Sequence, residues 1–74
     1  MNKTEKEIIE KFYKETWYEL TVKDGKFYCN GNLDLVGNNI TYLPDDLTVN
    51  GFLDLSDSSI KELPNNLIVH GFLS

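Results

Sequence analysis

The sequence contains few of the residues that let small proteins form disulfides, metal sites or membrane spans. Its 74 residues include one cysteine, one histidine and two prolines. One cysteine excludes an intramolecular disulfide, and one cysteine with one histidine cannot supply the roughly four ligands of a zinc site. No apolar run approaches the about 18 residues of a transmembrane helix, and the charged N-terminus lacks the apolar segment of a secretory signal. These absences predict a soluble, cytoplasmic protein that depends on its hydrophobic core for stability.

The charged residues are distributed unevenly along the chain. Residues 1–26 contain six lysines and six acids, whereas residues 27–74 contain one lysine and six acids, and the total is −5. The acidic part argues against direct binding to nucleic acid or to anionic membranes, because both require lysine and arginine. It would attract a protein partner with a basic surface. The other interpretation is that the acidic surface only keeps a small protein in solution.

A 20-residue repeat is the dominant feature of the sequence. Residues 31–50 read GNLDLVGNNITYLPDDLTVN, residues 51–70 read GFLDLSDSSIKELPNNLIVH, and residues 71–74, GFLS, begin a third copy. Nine positions are identical without a gap, namely Gly31/Gly51, Leu33/Leu53, Asp34/Asp54, Leu35/Leu55, Ile40/Ile60, Leu43/Leu63, Pro44/Pro64, Leu47/Leu67 and Val49/Val69. The register extends backwards, since Phe27 and Cys29 take the positions of Leu47 and Val49. A gapless period of this length predicts stacked coils that bury one continuous core.

The apolar positions within each repeat predict the path of the chain. Leu53 and Leu55 alternate with Asp54, as in a strand that buries one face, so both leucines should be buried and Asp54 exposed. Because the coils stack sideways, equivalent strands should pair in parallel. The glycine that follows each Leu-x-Val strand, as at Gly51 and Gly71, predicts a positive φ or a tight bend.

The repeat resembles a known class. The pattern Leu-Pro-x-x-Leu-x-Val-x-Gly-x-Leu-Asp-Leu-x-x-x-x-Ile, over residues 27–74, resembles the short leucine-rich repeats of bacterial and phage proteins. The asparagine that usually follows the strand in such repeats is not uniform, because Asn38 or Asn39 is replaced by Ser58 or Ser59 in the second copy. The resemblance implies a protein-binding function, which is general to leucine-rich repeats.

The N-terminal residues predict a helix followed by a hairpin. Thr4 and Glu7 have the spacing of a capping box, so the helix should begin near Glu5. A broad apolar stripe follows at helical spacing, and it includes Trp17, which should pack against the first coil. Asp24-Gly25 lies between two short strand-like segments and predicts a hairpin turn. A membrane-binding or partner-binding helix is the alternative, which the mixed charges of the polar face disfavour.

These elements together predict an α+β fold in a single domain over residues 1–74. Residues 1–26, an amphipathic helix and a hairpin, cap a short parallel β-solenoid of leucine-rich-repeat type, formed by about two and a half coils over residues 27–74.

No set of residues predicts catalysis, a cofactor or a metal site. Cys29 takes the position of an inward valine and has no base beside it, so a buried thiol is expected. His70 is expected in a turn. Asp34 and Asp54 should stand about 5 Å apart on an open face, since neighbouring strands have this spacing. They would bond to turn groups such as Ser56 or form part of an acidic docking surface. Catalysis or calcium binding by these aspartates is a weaker interpretation, because an open face provides no pocket and too few ligands.

The predicted function is a non-enzymatic protein–protein interaction module. One alternative is a small acidic inhibitor, encoded by a phage or another mobile element, that blocks the basic site of a host nucleic-acid enzyme. A further alternative is the N-terminal fragment of a longer repeat protein. In the last coil, an open strand edge over apolar residues favours a homodimer or another partner, and the rival is a monomer in which Phe72 covers this end. The predicted contact residues are Asp34, Thr48, Asp54 and Ile68 on the outward strand face, and Leu67, Val69, Phe72 and Leu73 in the last coil.

Overall fold

The computed structural model describes all residues, 1–74, as one helix and six short strands. Their bounds are α1 Lys3–Thr16, β1 Thr21–Lys23, β2 Lys26–Cys29, β3 Leu33–Asp34, β4 Leu47–Val49, β5 Leu53–Asp54 and β6 Ile68–Val69. A four-stranded mixed sheet has the order β1-β2-β4-β6, and β3 pairs with β5 in a second, parallel sheet. One helix with short strands in these sheets makes the fold α+β.

Helix α1 begins two residues earlier than the sequence pattern predicts. The Asn2 side chain accepts a hydrogen bond from the Glu5 backbone N–H at 2.8 Å, and the Glu5 carboxylate accepts one from the Asn2 N–H at 2.9 Å. This is a capping box, so the predicted box at Thr4 and Glu7 is wrong. Asparagine caps at least as well as threonine, and Asn2 also has a glutamate three residues later.

The end of α1 directs Trp17 into solvent. Trp17 adopts a left-handed conformation, with φ of 68°, and its N–H donates to the Tyr13 carbonyl at 2.8 Å. Its side chain is 81% exposed and lies near the Tyr13 ring, at 6.1 Å between centroids. The predicted packing of Trp17 against the first coil is therefore wrong. The apolar stripe is broader than the face that meets the core, where Phe12 and Thr16 are buried.

The predicted hairpin is confirmed. Strands β1 and β2 pair antiparallel, and Lys23 lies opposite Lys26 at the end of the ladder. The two residues between them, Asp24 and Gly25, both have positive φ, at 52° and 77°. This is the conformation that matches the twist of a two-residue hairpin.

Parallel pairing follows the 20-residue period of the sequence. The register joins Phe27 to Leu47, Cys29 to Val49, Val49 to Val69 and Leu33 to Leu53. The predicted parallel pairing of equivalent strands is confirmed. As a consequence, side chains that are 20 residues apart stand next to each other in rows on both sheets.

One cluster of buried apolar side chains connects the helix, the hairpin and both sheets. It consists of Phe12, Leu20, Phe27, Cys29, Leu33, Leu35, Ile40, Leu43, Leu47, Val49 and Leu53. Leu53 is fully buried, as predicted, whereas Leu55 and Asp54 are both only half-buried. The prediction that both leucines are buried with an exposed aspartate between them is thus only half right. Burial is more complete in the first repeat than in the second, because the first repeat has chain packed on both sides.

The repeated glycines do not have positive φ, but each lies in a bend of the chain after the Leu-x-Val strand position, so of the two predicted alternatives the tight bend is confirmed and the positive φ is wrong. The glycines with positive φ are Gly25 and Gly37. A Cβ atom on Gly71 would lie 2.8 Å from the carbonyl group of Gly51, and one on Gly51 would lie 2.9 Å from the Gly31 carbonyl carbon. Glycine is required there because the backbone of one repeat approaches the preceding one too closely for a side chain.

Candidate interaction surfaces

The two aspartates of the repeat lie side by side and each stabilises a turn. Asp34 and Asp54 are register partners in the β3–β5 pair. Asp34 accepts a hydrogen bond from the Val36 N–H at 3.1 Å, and Asp54 accepts one from the Ser56 N–H at 3.0 Å. The hydrogen bond from the Ser56 side chain lowers the pKa of Asp54 most, and the hydrogen bond from the Ser56 backbone lowers it further. The predicted bonding of these aspartates to turn groups such as Ser56 is confirmed, and Asp54 is ionised at neutral pH.

Two phenylalanines lie on the same face as the aspartates. Residues two apart along a strand point to the same side, so Phe52 shares the outward side with Asp54. The rings of Phe52 and Phe72 are stacked, with centroids 5.1 Å apart and planes 13° apart. Phe72 is 63% exposed. We call the surface formed by Asp34, Asp54, Phe52 and Phe72 the aromatic–acidic face.

Phe52 was not among the residues predicted from the sequence. The sequence does contain a pattern that points to Phe52, because phenylalanine recurs one repeat later at position 72. The equivalent residue of the first copy is Asn32. The Asn32 side chain accepts a hydrogen bond from the Phe52 N–H at 2.9 Å. At this repeat position, the first copy has a short polar side chain that accepts a backbone hydrogen bond, and the next two copies have stacked phenylalanine rings.

The outward row of the four-stranded sheet contains Tyr28, Thr48 and Ile68, which are register partners. Thr48 was predicted to be an exposed contact residue, but it is only 6% exposed. It lies in β4 between two larger side chains that screen it from solvent. Ile68 is about half exposed, as expected for an outward position in an edge strand.

The predicted contact residues of the last repeat divide into two groups. Leu67 and Val69 are half-buried and pack against the core, whereas Phe72 and Leu73 are exposed. Strand β6 is the edge strand beyond β4. The Val49 carbonyl accepts a hydrogen bond from the His70 N–H at 3.0 Å. Val69 has the same register position one repeat later, so its carbonyl points away from β4 and is open to a partner.

Polar side chains at the turns also pair across one repeat. Asn50 donates to the Asn30 side chain at 3.1 Å, and the Asn66 side chain donates to the Asp46 carboxylate at 2.9 Å. The Asn65 N–H donates to the Asp45 carboxylate at 2.9 Å. Part of the negative charge of residues 27–74 therefore holds neighbouring repeats together.

Tyrosines attach the helical region to the first repeat, an arrangement that the sequence pattern did not predict. The Tyr18 hydroxyl accepts a hydrogen bond from the Asp34 N–H at 3.1 Å. The Tyr42 hydroxyl donates to the Glu15 carboxylate at 3.4 Å, and the Lys11 ammonium lies 5.0 Å from the Tyr42 ring centroid. Burial, followed by the charge and hydrogen bond of Glu15, raises the pKa of Tyr42.

The lone cysteine occupies the core, as predicted. Cys29 is buried in β2, and its sulfur lies 3.8 Å from the Gly31 carbonyl oxygen. Burial raises the pKa of this thiol, against a smaller opposing effect of the hydrogen bond to Gly31. A protonated, enclosed thiol is a weak nucleophile. His70, in contrast, is exposed.

Metal sites, membrane spans and similarity to known proteins were assessed for the whole chain. No group of three or more His, Cys, Asp and Glu side chains is arranged so that it could hold a metal ion. Helix α1 is too short and too polar to cross a membrane. Comparison of the chain with protein-family models, with curated proteins and with solved structures finds no match.

Proposed function

We propose that the protein is a non-enzymatic protein-interaction module, built as a short parallel β-solenoid of leucine-rich-repeat type. The observation that carries this proposal is the pairing of strands at a spacing of 20 residues. Each repeat position thereby becomes a row of side chains on the surface. Stacked repeats present such rows as extended binding surfaces, whose specificity depends on the residues that differ between copies.

The N-terminal region supports this architecture as its cap. The half-buried Ile8 and Ile9 of α1 pack against the core, and Phe12 is fully buried in it. Strand β2 of the hairpin pairs with β4. A solenoid end needs an atypical unit of this kind, because the first coil would otherwise expose its apolar side.

The partner that we propose is a protein with a basic surface. Residues 27–74 contain six acids and one lysine, and none of the six acids is fully buried. Such a charge distribution accelerates association with a positively charged surface and makes the binding sensitive to salt.

Capture experiments with charge-matched variants test this proposal. The immobilised chain is exposed to a bacterial lysate, and bound proteins are identified by mass spectrometry. We expect a protein that binds the parent chain, is released by salt and is lost when Asp34→Asn and Asp54→Asn are combined. The control combines Glu7→Gln and Glu10→Gln on the exposed side of α1, which removes the same charge. Equal capture by both double variants, or capture of no protein, would contradict the proposal.

The alternative function is inhibition of a host nucleic-acid enzyme by a phage or mobile-element protein. Its support is again the acidic surface of residues 27–74, which could occupy a site that normally binds phosphates. A captured nuclease or other nucleic-acid enzyme whose activity falls when the free chain is added would favour this alternative. Captured partners without nucleic-acid activity would contradict it.

A second copy of the chain is the partner that we propose for the edge of β6. Leu63 and Leu73 are about half exposed beside this edge, and residues 60–74 contain one lysine and one glutamate as their charged groups. Two acidic molecules repel each other least where their surfaces are neutral. Sedimentation equilibrium at high micromolar concentration should show a dimer, and Leu63→Lys should dissociate it. A single species of 8.5 kDa for the parent chain would exclude the dimer.

A further inference from the structure

The two sheet edges next to the helical region are protected against pairing with another chain. Strand β1 carries the exposed Lys23, whose charge would have to leave water when a second strand packs beside it. In β3, the Asp34 N–H is occupied, because it donates to the Tyr18 hydroxyl at 3.1 Å. At the opposite end, residues 63–73 contain no lysine, arginine, aspartate or glutamate. The β6 edge therefore lacks the protection that the chain gives to the other edges.

Two residues along the β6 edge have free backbone groups. The His70 N–H donates to the Val49 carbonyl at 3.0 Å, so residues 68 and 70 direct their hydrogen-bonding groups towards β4. Successive residues of a strand alternate in this respect, so the N–H and C=O groups of Leu67 and Val69 point away from β4. Each of these two residues thus offers one donor and one acceptor to a partner strand.

The free run is closed at both ends by bonds to the preceding repeat. The Asn65 N–H donates to the Asp45 carboxylate at 2.9 Å, and the Asn65 carbonyl accepts a hydrogen bond from the Asp46 N–H at 3.0 Å. At the other end, the Gly71 N–H donates to the Gly51 carbonyl at 2.9 Å. A strand that adds to β6 can therefore form complete hydrogen-bonded pairs only between these ends.

We propose that two copies of the chain pair their β6 strands antiparallel, about a two-fold axis that passes between the two Ile68 residues. This inference rests on the self-contact proposed above and specifies its geometry. Leu67 of one copy lies opposite Val69 of the other, and the two residues exchange both of their N–H···O bonds. The same pair recurs on the other side of the axis, so all the free groups of these residues are used.

The two neighbouring registers satisfy fewer groups. An axis at Leu67 would place Val69 opposite Asn65 of the second copy, and an axis at Val69 would place Leu67 opposite Gly71. The N–H groups of Asn65 and Gly71 are already bonded within their own chain. Each of these registers therefore loses hydrogen bonds that the axis at Ile68 retains.

The side chains also suit this pairing. Leu67 and Val69 are half-buried and pack against the core, so their pairing across the axis continues the core from one copy into the other. Ile68 is 47% exposed and would meet its counterpart on the outward side, where Cα atoms of a non-hydrogen-bonded pair lie about 4.5 Å apart. The reversed strand direction brings the end beside Leu73 in one copy to the end beside Leu63 in the other, and both leucines are about half exposed. The contact thus removes apolar surface from water.

Disulfide cross-linking tests the register. We expect Ile68→Cys to form a covalent dimer in a glutathione buffer at high micromolar concentration, because the two Cα atoms would have a separation that suits a disulfide. The control is His70→Cys, which is also exposed but would lie roughly 13 Å along the strand from its counterpart. Thiols held together in a dimer have an effective concentration in the millimolar range, so Ile68→Cys should cross-link about tenfold more than the control. The chain's own Cys29 is buried and should remain reduced in both variants.

A charge placed at the axis provides a second measurement. Ile68→Lys puts two ammonium groups opposite each other and should raise the dimer dissociation constant about tenfold or more, since like charges directly opposite destabilise a strand pair. Val36→Lys adds the same charge at an exposed position of the first repeat and should change this constant by less than about twofold, because isolated surface charges contribute little. Sedimentation equilibrium measures both variants.

The outcomes separate the register from the self-contact. Equal cross-linking by Ile68→Cys and His70→Cys, or a dimer that tolerates Ile68→Lys, would overturn the register and leave the self-contact standing. A parent chain that sediments as a single species of 8.5 kDa would overturn both together. The proposed binding of a basic protein partner is decided separately, by the capture experiment.

Discussion

Gly31 and Gly51 occupy the same repeat position but experience different surroundings. A Cβ atom on Gly31 would meet nothing within 4 Å, whereas one on Gly51 would collide with the backbone of Gly31 and Asn32. No preceding repeat packs against the backbone at Gly31 in the first copy. The same residue type is therefore sterically required at one position and free to change at the other.

Alanine substitution should separate the two glycines. We expect Gly51→Ala to lower the free energy of unfolding by about 1–3 kcal/mol, because the backbones of two repeats must move apart. Gly31→Ala should change it by less than about 0.5 kcal/mol, as surface substitutions do. Urea denaturation followed by circular dichroism measures both. Equal losses would show that the glycines serve a local turn and not the contact between repeats.

The hydrogen bonds from Ser56 to Asp54 make stability depend on acid. The pKa of Asp54 is lower in the folded chain than in the unfolded chain. Its contribution is therefore fully present above the unfolded value of about 3.9 and is lost as pH falls through the lower, folded value. Ser56→Ala should raise the pKa of Asp54 and reduce this acid-dependent loss of stability. Carboxyl ¹³C titration measures the pKa, and an unchanged value in the variant would contradict the assignment.

The N-terminus of helix α1 has two possible N-cap residues, and the structure uses one of them. Two candidate boxes overlap in the first seven residues, and the helix uses the earlier one at Asn2. Asparagine combines a strong capping preference with a glutamate at the position where it can return the hydrogen bond. Thr4 is then an exposed residue within the first turn.

Two substitutions distinguish these candidate caps. Asn2→Ala should lower the free energy of unfolding by about 0.5–2 kcal/mol, because backbone N–H groups of the first turn lose their acceptor. Thr4→Ala should leave stability unchanged or raise it slightly, since alanine has the higher helix propensity. Thermal denaturation of the two variants makes the comparison. Greater destabilisation by Thr4→Ala would place the cap at the later position.

At the scale of the whole molecule, burial differs along the rows of equivalent residues. Leu33 and Leu53 are fully buried, whereas Leu73, their partner in the next copy, is about half exposed. Equivalent positions in the sequence therefore contribute unequally to the core.

The pair Leu53 and Leu73 provides a matched test of this gradient. Leu53→Ala should cost about 2–5 kcal/mol, from the lost transfer free energy and the cavity left in the core. Leu73→Ala should cost clearly less, because no closed cavity forms at an exposed position. The midpoints of urea unfolding decide between these expectations. The comparison is made in dilute solution, where the chain is a monomer, and similar losses for both variants there would contradict the gradient.

The strands, the hairpin turn and the pairing of the strands are encoded in local features of the sequence. A gapless 20-residue period assigns each residue its neighbour in the next strand, and Asp24-Gly25 specifies the hairpin turn, because both signals depend on local geometry that recurs along the chain. The aspartate pair of the candidate surface and the hydrogen bond from Ser56 to Asp54 could be predicted for the same reason.

Which of these residues are exposed to solvent depends on the folded arrangement of the elements. Thr48 alternates outward like its neighbours, but it is buried because Tyr28 and Ile68, from other strands, are larger and screen it. Trp17 continues an apolar stripe, but it is exposed because the helix ends before it in a left-handed turn. Phe52 and Phe72 stack on each other because the repeats bring them together. Exposure depends on side chains from distant parts of the chain and on where an element stops, and periodicity carries information about neither.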